Sequence, residues 1–343
     1  MSVSAGAKVQ RRTSGLSDKV RKRIEITILS LPALIMFLGF VILPVFMAGY
    51  YGFFKWKGYG KPTVNGQFIG FENYKVILTD PNFQQALGHT LFVVVASLVI
   101  QGPLAILFAL LLNQKFKGRA LIRTLIFVPY VVSEVIVGTG WSLLLQKKGA
   151  INEILANFGI NGPDWLADPK IAIWTLLLLI SWKYVGFAVI LMLAGMQSIP
   201  EELYEAAKVD GASFWQMQKS ITLPLLAPTL RIWVFLSMIG SLQLFDLVYI
   251  VWGKYVSTTA GVSTMATYMV REGRGAGNYG YGSAVALIIF VISLVIALVY
   301  QKFVLNRDLD GAVTEQKEAK KRARKRAKEA QRREAAALAS EVK

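Results

Sequence analysis

The chain has 343 residues, of which 54% are hydrophobic, and long apolar blocks give it a mean hydropathy of +0.47. Such blocks indicate a protein that crosses a membrane several times. No cysteine and one histidine are present, which excludes disulfides, thiol nucleophiles and metal sites built from cysteine or several histidines. The net charge of +17 comes from basic residues at the two ends and in short loops. This distribution is typical of cytoplasmic segments rather than of a nucleic-acid-binding face.

The apolar blocks predict an all-α integral membrane protein with a core of six transmembrane helices. Each block is close to the ~20 residues that a helix needs to cross ~30 Å of hydrocarbon. The predicted spans cover residues 26–54, with a kink at Pro44, then 86–112, 121–145, 171–197, 226–252 and 282–304. The transmembrane domain as a whole is predicted over residues 26–306.

Both ends of the chain are polar and basic. Residues 1–25 predict a disordered cytoplasmic tail. Residues 307–343 predict a charged cytoplasmic tail that is either solvated or attracted to anionic membrane lipid. An even number of crossings leaves both termini on one side, and the basic loop 113–120 would share that side.

Three ionisable residues, Glu134, Lys183 and Asp246, fall within the predicted spans. Because such groups are costly in hydrocarbon, each is expected to face the interior of the bundle. Helical spacing groups a set of residues on one face of the fourth span and another set on one face of the fifth. Their residues are Ile180, Lys183, Tyr184, Phe187, Ser237, Ser241, Leu244 and Phe245. Aromatic faces with a few polar donors suit a sugar, although the two serines are also typical of helix packing.

The polar stretch EELYEAAKVDGASFWQMQKSITLP lies between the fourth and fifth spans. Pro200 and the glutamates that follow it favour a helix N-terminus, and Gly211 is expected to end that helix. A second short helix is predicted from Ser213 to Ser220, leading to Pro224. The result is a compact helix-turn-helix loop along the membrane, a shape suited to docking into a groove on another protein.

This stretch resembles the EAA loop of the membrane subunits of binding-protein-dependent ABC importers. The family pattern is EAA, three residues, G, nine residues, I, one residue and LP. It is matched here by Glu205, Ala206, Ala207, Gly211, Ile221, Leu223 and Pro224. The resemblance implies a cytoplasmic coupling helix that sits in a cleft of the ATPase subunit, with the contact made by Glu205, Ala206, Ala207, Asp210 and Gly211. An ordinary amphipathic interfacial helix is the alternative.

Other segments resemble carbohydrate permeases of the maltose and glycerol-phosphate importer type. They read FIGFENYKVILTDPNFQQALGHTLF, GAINEILANFG followed by WLADP, and SWKYVGFAVILMLAGMQSIP in the fourth span. In that family the two helix faces described above line the substrate path. The sequence departs from the maltose-type pattern at Lys183, which replaces an apolar residue, and after the fifth span, where GGP is missing.

The resemblance implies the transmembrane domain of a type I ABC importer in the bacterial cytoplasmic membrane, with both termini in the cytoplasm. Its implied partners are a second permease subunit in a heterodimer, a pair of ATPase subunits, and an extracellular or periplasmic solute-binding protein that delivers a di- or oligosaccharide. The chain has no G-x-x-x-x-G-K-[S/T] loop for ATP. It is therefore expected to need no cofactor, to bind no nucleic acid and to perform no chemistry.

Two other functions stay open from the residues alone. A permease for glycerol phosphate or another small solute would use Lys183 as a cationic contact. An ATP-independent channel or secondary transporter would need coupling-ion groups within its own spans and would leave the EAA-like loop unexplained.

Overall fold

The computed structural model describes residues 18–305, which are almost entirely helical. The α-helices of this part of the chain are α1 (Asp18–Phe37), α2 (Leu43–Tyr51), α3 (Pro62–Asn65), α4 (Glu72–Thr79), α5 (Pro81–Ala96), α6 (Gly102–Asn113), α7 (Arg119–Val131), α8 (Glu134–Leu144), α9 (Ala150–Asn157), α10 (Pro169–Gln197), α11 (Glu201–Val209), α12 (Phe214–Met217), α13 (Leu223–Leu242), α14 (Asp246–Thr259), α15 (Met265–Val270) and α16 (Tyr279–Tyr300). Two short strands, β1 (Phe54–Lys55) and β2 (Gln67–Phe68), pair antiparallel after α2.

Five helical runs among the described residues are long and apolar enough to cross a membrane. They are Lys22–Tyr51, Pro81–Asn113, Pro169–Gln197, Phe214–Gly253 and Tyr279–Val304. The bent pair α7 and α8 makes a sixth crossing if it is counted as one span. We number the six as spans 1 to 6 in chain order, so that α7 and α8 together form span 3. The predicted all-α membrane fold is confirmed.

Several spans contain a π-helical turn, and three of these turns precede a proline. The π-helical segments are Leu38–Ile42, Ser97–Gln101, Gln218–Thr222, Arg271–Gly275 and Gln301–Leu305. Pro44, Pro103 and Pro224 each lie two residues beyond one of the first three. A proline ring crowds the carbonyl four residues earlier, which here lies inside the wider π turn. The helices therefore continue through these prolines.

Span 3 is not the continuous helix that was predicted over residues 121–145. The chain bends by 94° between α7 and α8. Val132 is extended, and the Oγ of Ser133 caps α8 by accepting a hydrogen bond from the N–H of Val135 at 3.3 Å. This cap starts a new helix where the apolar pattern alone runs on without a break.

The first helix begins earlier than predicted. α1 starts at Asp18 and is continuous with span 1, so residues 18–25, which were predicted to be disordered, are helical. Residues 1–17 of the predicted basic tail lie outside the described residues, as do residue 306 and the predicted tail at 307–343.

Span 4 is the most buried of the crossings and contacts α6, α7, α13 and α14. Its approach to α7 depends on a small residue. A β-carbon at Gly186 would overlap the backbone carbonyl oxygen of Ile126. Gly186 therefore sets the distance between span 4 and the first half of span 3.

We predict that Gly186→Val destabilises the bundle, because the added carbons meet a backbone carbonyl that cannot rotate away. Overpacking of this kind costs about 1–3 kcal/mol. The thermal unfolding midpoint of the purified protein, followed by tryptophan fluorescence, should fall. Gly140→Val in α8 is the control, because a β-carbon there meets no atom within 4 Å. Equal midpoints for the two variants would contradict the close approach of span 4 to α7.

Candidate functional site

A cavity of about 270 Å³ lies between spans 2, 3, 4 and 5. Small-molecule sites commonly measure about 300–1,000 Å³, so this cavity is slightly smaller than that range. Apolar and aromatic side chains dominate its lining, with a few uncharged polar groups. The lining residues are Val93, Ser97, Gln101, Tyr130, Ile180, Tyr184, Phe187, Trp233, Leu236, Ser237, Gly240, Ser241 and Leu244.

Three aromatic rings from α7 and α10 form one wall of the cavity. Tyr130 stacks on Phe187, with ring centroids 4.9 Å apart and planes within 23° of each other. The same ring meets Tyr184 edge-on at 6.2 Å. Such a wall offers extended aromatic faces to the apolar side of a ligand ring.

Polar groups enter the lining from spans 2 and 5. Ser237 and Ser241 lie one turn apart on α13, as predicted from their spacing. Ser97 and Gln101 lie on the π-helical segment of span 2. This second pair was not predicted from the sequence. Two polar residues four positions apart in an otherwise apolar span are the signal that points to it.

Six of the eight residues predicted to line a substrate path do line this cavity, namely Ile180, Tyr184, Phe187, Ser237, Ser241 and Leu244. Lys183 and Phe245 do not line this cavity. Lys183 is one residue from Tyr184, about 100° around the helix, and its side chain extends to span 3 instead. Phe245 lies beyond the end of α13, where helical spacing no longer holds, and stacks on Tyr249 at 5.0 Å.

Lys183 joins span 4 to both halves of span 3. Its side chain is 2% exposed, and its ammonium donates hydrogen bonds to the carbonyl oxygens of Pro129 at 3.3 Å and Val132 at 2.7 Å. These carbonyls lie at the C-terminal end of α7, where the helix leaves acceptors unpaired and favours a positive charge. Nζ also lies 3.5 Å from Oε1 of Glu134, the first residue of α8, where a negative charge is favoured. The ammonium therefore stabilises the bend from both sides.

Glu134 connects this joint to the aromatic wall. Its Oε1 accepts a hydrogen bond from the Tyr184 hydroxyl at 2.6 Å. Its Oε2 is buried and has no hydrogen-bond partner among the described residues. The carboxylate therefore depends on Lys183 and Tyr184, and it fixes the Tyr184 ring beside the cavity.

We predict that Lys183→Met lowers the thermal unfolding midpoint, because it removes two carbonyl partners and leaves the Glu134 carboxylate uncompensated. Losing one partner of a fully buried ion pair costs about 3–5 kcal/mol, and the cost here should be smaller because Glu134 is 25% exposed. The double variant Lys183→Met/Glu134→Gln should recover part of the loss, since it removes the stranded charge. If Lys183→Met is as stable as the native protein, Lys183 does not stabilise the contact between span 4 and span 3.

The polar loop between spans 4 and 5 begins with α11, which ends in a turn that requires glycine. Gly211 has φ +80°, a value that a side chain with a β-carbon rarely adopts. The N–H of Ala212 donates to the carbonyl of Ala207 at 2.9 Å, and the N–H of Gly211 donates to that of Lys208 at 3.0 Å. This pair of bonds is a Schellman motif. The prediction that Gly211 ends the helix is confirmed.

The second short helix predicted over residues 213–220 does not stop before span 5. Ser213 caps α12, which continues through the π-helical segment Gln218–Thr222 into α13. Pro224 is accommodated immediately after that segment, so the run Phe214–Gly253 is a single helix-rich stretch. The loop is therefore an extension of span 5 with α11 packed beside it.

The loop presents most of its motif residues to solvent. Glu205, Ala206, Asp210 and Gly211 are exposed, and Ala207 is half-buried. The hydroxyls of Tyr204 and Thr222 meet at 2.9 Å and hold α11 against the start of span 5. Val209 and Trp215 are 87% and 69% exposed. Large apolar side chains that lie in the open next to a fixed turn are typical of an interaction surface.

Known proteins resemble this chain in sequence and in fold. The family described as binding-protein-dependent transport system inner membrane component matches residues 101–308. The trehalose/maltose transport system permease protein MalF of Thermococcus litoralis is 34% identical over 276 residues, which are 79% of this chain and 90% of that protein. The multiple sugar-binding transport system permease protein MsmF of Streptococcus mutans is 32% identical over 275 residues, which are 78% of this chain and 91% of that protein.

Among solved structures, a chain of the bacterial alginate ABC transporter in complex with alginate pentasaccharide-bound periplasmic protein superposes with a TM-score of 0.71. It is 28% identical, and the match covers 83% of this chain and 95% of that chain. The likeness therefore extends over nearly the whole length of the known subunit.

Proposed function

The chain belongs to the binding-protein-dependent transport system inner membrane components, in their carbohydrate-uptake branch, and we propose that it is one of two permease subunits that move a di- or oligosaccharide into the cell. It is a multi-pass permease subunit of an ABC sugar importer and does not itself hydrolyse ATP. The observation that carries the proposal is the exposed α11 loop with its Gly211 turn.

The geometry of this loop supports a coupling role. Glu205 and Asp210 are held in solvent by a helix whose end is fixed by two hydrogen bonds. The loop joins α10 and α13, and both of these helices also line the cavity. From Phe187 to Gln197 the helix rises by roughly 15 Å at about 1.5 Å per residue. A displacement of the loop by an ATPase subunit would therefore reach the cavity through two rigid elements.

The cavity lining favours an uncharged sugar. None of the described residues that line it is Lys, Arg, Asp or Glu. A phosphate group would call for cationic donors. Lys183, the residue that favoured glycerol phosphate in the sequence, is engaged at the bend of span 3. The relative named for trehalose and maltose supports a substrate with at least two sugar rings.

The remaining partners follow from the same proposal. A second permease subunit would cover span 1, which has no buried residue over Lys22–Tyr51 in the described part of the chain. A pair of ATPase subunits would bind the α11 loop in the cytoplasm of a bacterial cell, and both termini would lie on that side of the cytoplasmic membrane. A solute-binding protein would deliver the sugar from outside to the transmembrane domain at residues 26–306.

We predict that Glu205→Lys or Gly211→Asp abolishes sugar uptake while the permease stays folded and inserted. Glu205 would lose its attraction to a basic residue of the ATPase, and Asp at Gly211 would strain the turn by about 1–2 kcal/mol. The ATPase subunits should either dissociate during purification or hydrolyse ATP without response to sugar-loaded binding protein. Uptake into proteoliposomes and stimulated ATP hydrolysis measure the two effects.

Gly159→Asp is the matched control for the glycine variant. Gly159 has φ +73° and ends α9 with the same pair of backbone hydrogen bonds. The same backbone strain at Gly159, outside the α11 loop, should leave sugar uptake and stimulated ATP hydrolysis unchanged. Normal uptake in both loop variants would reject coupling through α11, and uptake that persists in ATP-depleted vesicles would favour a channel or a secondary transporter.

A further inference from the structure

Span 2 places a polar pair inside the cavity. Ser97 and Gln101 are the first and last residues of its π-helical segment, and they are 2% and 4% exposed. The surrounding sequence, VVVASLVIQGPLAILFALLL, is otherwise apolar. Polar side chains at this depth in a span are costly unless they have partners or face a wet space. Their position in the lining supplies that space.

The hydrogen bond within the pair leaves other polar groups available. Gln101 Nε2 donates to Ser97 Oγ at 3.3 Å. A carboxamide has two N–H donors and an acceptor oxygen, and a hydroxyl both donates and accepts. Within residues 18–305 the side-chain oxygen of Gln101 has no hydrogen-bond partner, and this atom is not among the fully buried ones. The pair therefore presents both acceptors and donors to the cavity.

The backbone around the pair is fixed. Pro103 follows the π turn, and Gly102 brings span 2 against the ring of Trp233, which a β-carbon at Gly102 would approach to 2.9 Å. The π-helical segment also contacts α10 and α13. Groups that are held in place before binding lose less side-chain entropy when a ligand arrives.

We infer that Gln101, supported by Ser97, binds a hydroxyl group of the transported sugar and determines specificity for it. The inference rests on the proposed sugar function of the cavity. A sugar hydroxyl both donates and accepts, which matches the groups that the pair leaves available. The apolar face of the same sugar ring would lie on the wall formed by Tyr130 and Phe187. Among the described lining residues Gln101 is the one carboxamide.

The test uses the assembled permease and ATPase complex in nanodiscs, without nucleotide and without binding protein. Titration calorimetry with maltose, trehalose and maltotriose identifies the tightest sugar, and its monodeoxy analogues are then titrated. For the native complex, one analogue should bind about fivefold more weakly than the parent sugar, as expected for one lost hydrogen bond. The Gln101→Met complex should bind the parent sugar more weakly by a similar factor. It should bind that analogue and the parent sugar with equal affinity.

This loss of discrimination separates recognition from a merely structural role, which would weaken the parent and every analogue by the same factor. Gln84→Met is the matched control, since Gln84 lies in the same span but is exposed and bonds to the Leu78 carbonyl. The Gln84→Met complex should prefer the parent sugar over the deoxy analogue by the same factor as the native complex. If the complex with Gln101→Met fails to assemble, Gln101→Asn also tests recognition of the hydroxyl. Asn keeps the carboxamide, but its side chain is one methylene shorter and withdraws the group from the sugar.

The possible outcomes distinguish the two proposals. A native complex that binds none of the three sugars and imports none of them in proteoliposomes would overturn the sugar function, and this inference with it. Native binding together with unchanged discrimination in Gln101→Met or Gln101→Asn would overturn the role of Gln101 alone. Loss of discrimination at a single hydroxyl would support it.

Discussion

The architecture of the cavity depends on one buried ammonium. Lys183 supplies donors to the carbonyls at the end of α7 and a counter-charge to Glu134 at the start of α8. Without this ammonium, the 94° bend of span 3 would leave carbonyl acceptors unpaired and the Glu134 carboxylate without a counter-charge. Both are costly inside a membrane, where water is scarce. Tyr130 lies in the last turn before this bend, and Tyr184 is held by Glu134 just after it. The aromatic wall is therefore built at the break in span 3.

The cavity and the α11 loop occupy different levels of the same two helices. α10 and α13 contribute most of the lining and also carry the loop between them. The loop itself is made rigid by backbone hydrogen bonds around Gly211 and by the contact between Tyr204 and Thr222. This arrangement separates the surface that would meet an ATPase from the surface that would meet a sugar. It also connects both surfaces to the same two helices, α10 and α13.

Much of this architecture could be predicted from the sequence, because it follows from strong local signals. Long apolar blocks reveal the spans, and Gly211 reveals the turn because few other residues adopt its φ. The break in span 3 could not be predicted from apolarity, since it is stabilised by tertiary hydrogen bonds from Lys183 to carbonyls 51 and 54 residues away. Helical spacing grouped Tyr184 and Lys183 on one face, but of the two only Tyr184 lines the cavity, because the long Lys183 side chain extends to a carbonyl of span 3. Gln101 could not be assigned from the sequence in the same way, because an uncharged carboxamide in an apolar span is a weaker signal than a charged side chain.

Whether the cavity between spans 2 to 5 is the sugar path can be tested directly by cysteine labelling, because this chain has no native cysteine. Ser237→Cys places a thiol in the cavity, and Ser198→Cys places one at an exposed position after α10. The rate of maleimide labelling is measured on the purified complex with and without the imported sugar. Saturating sugar should slow labelling at position 237 and leave labelling at position 198 unchanged. Equal rates at position 237 with and without sugar, in a complex that still imports that sugar, would contradict a sugar path through this cavity.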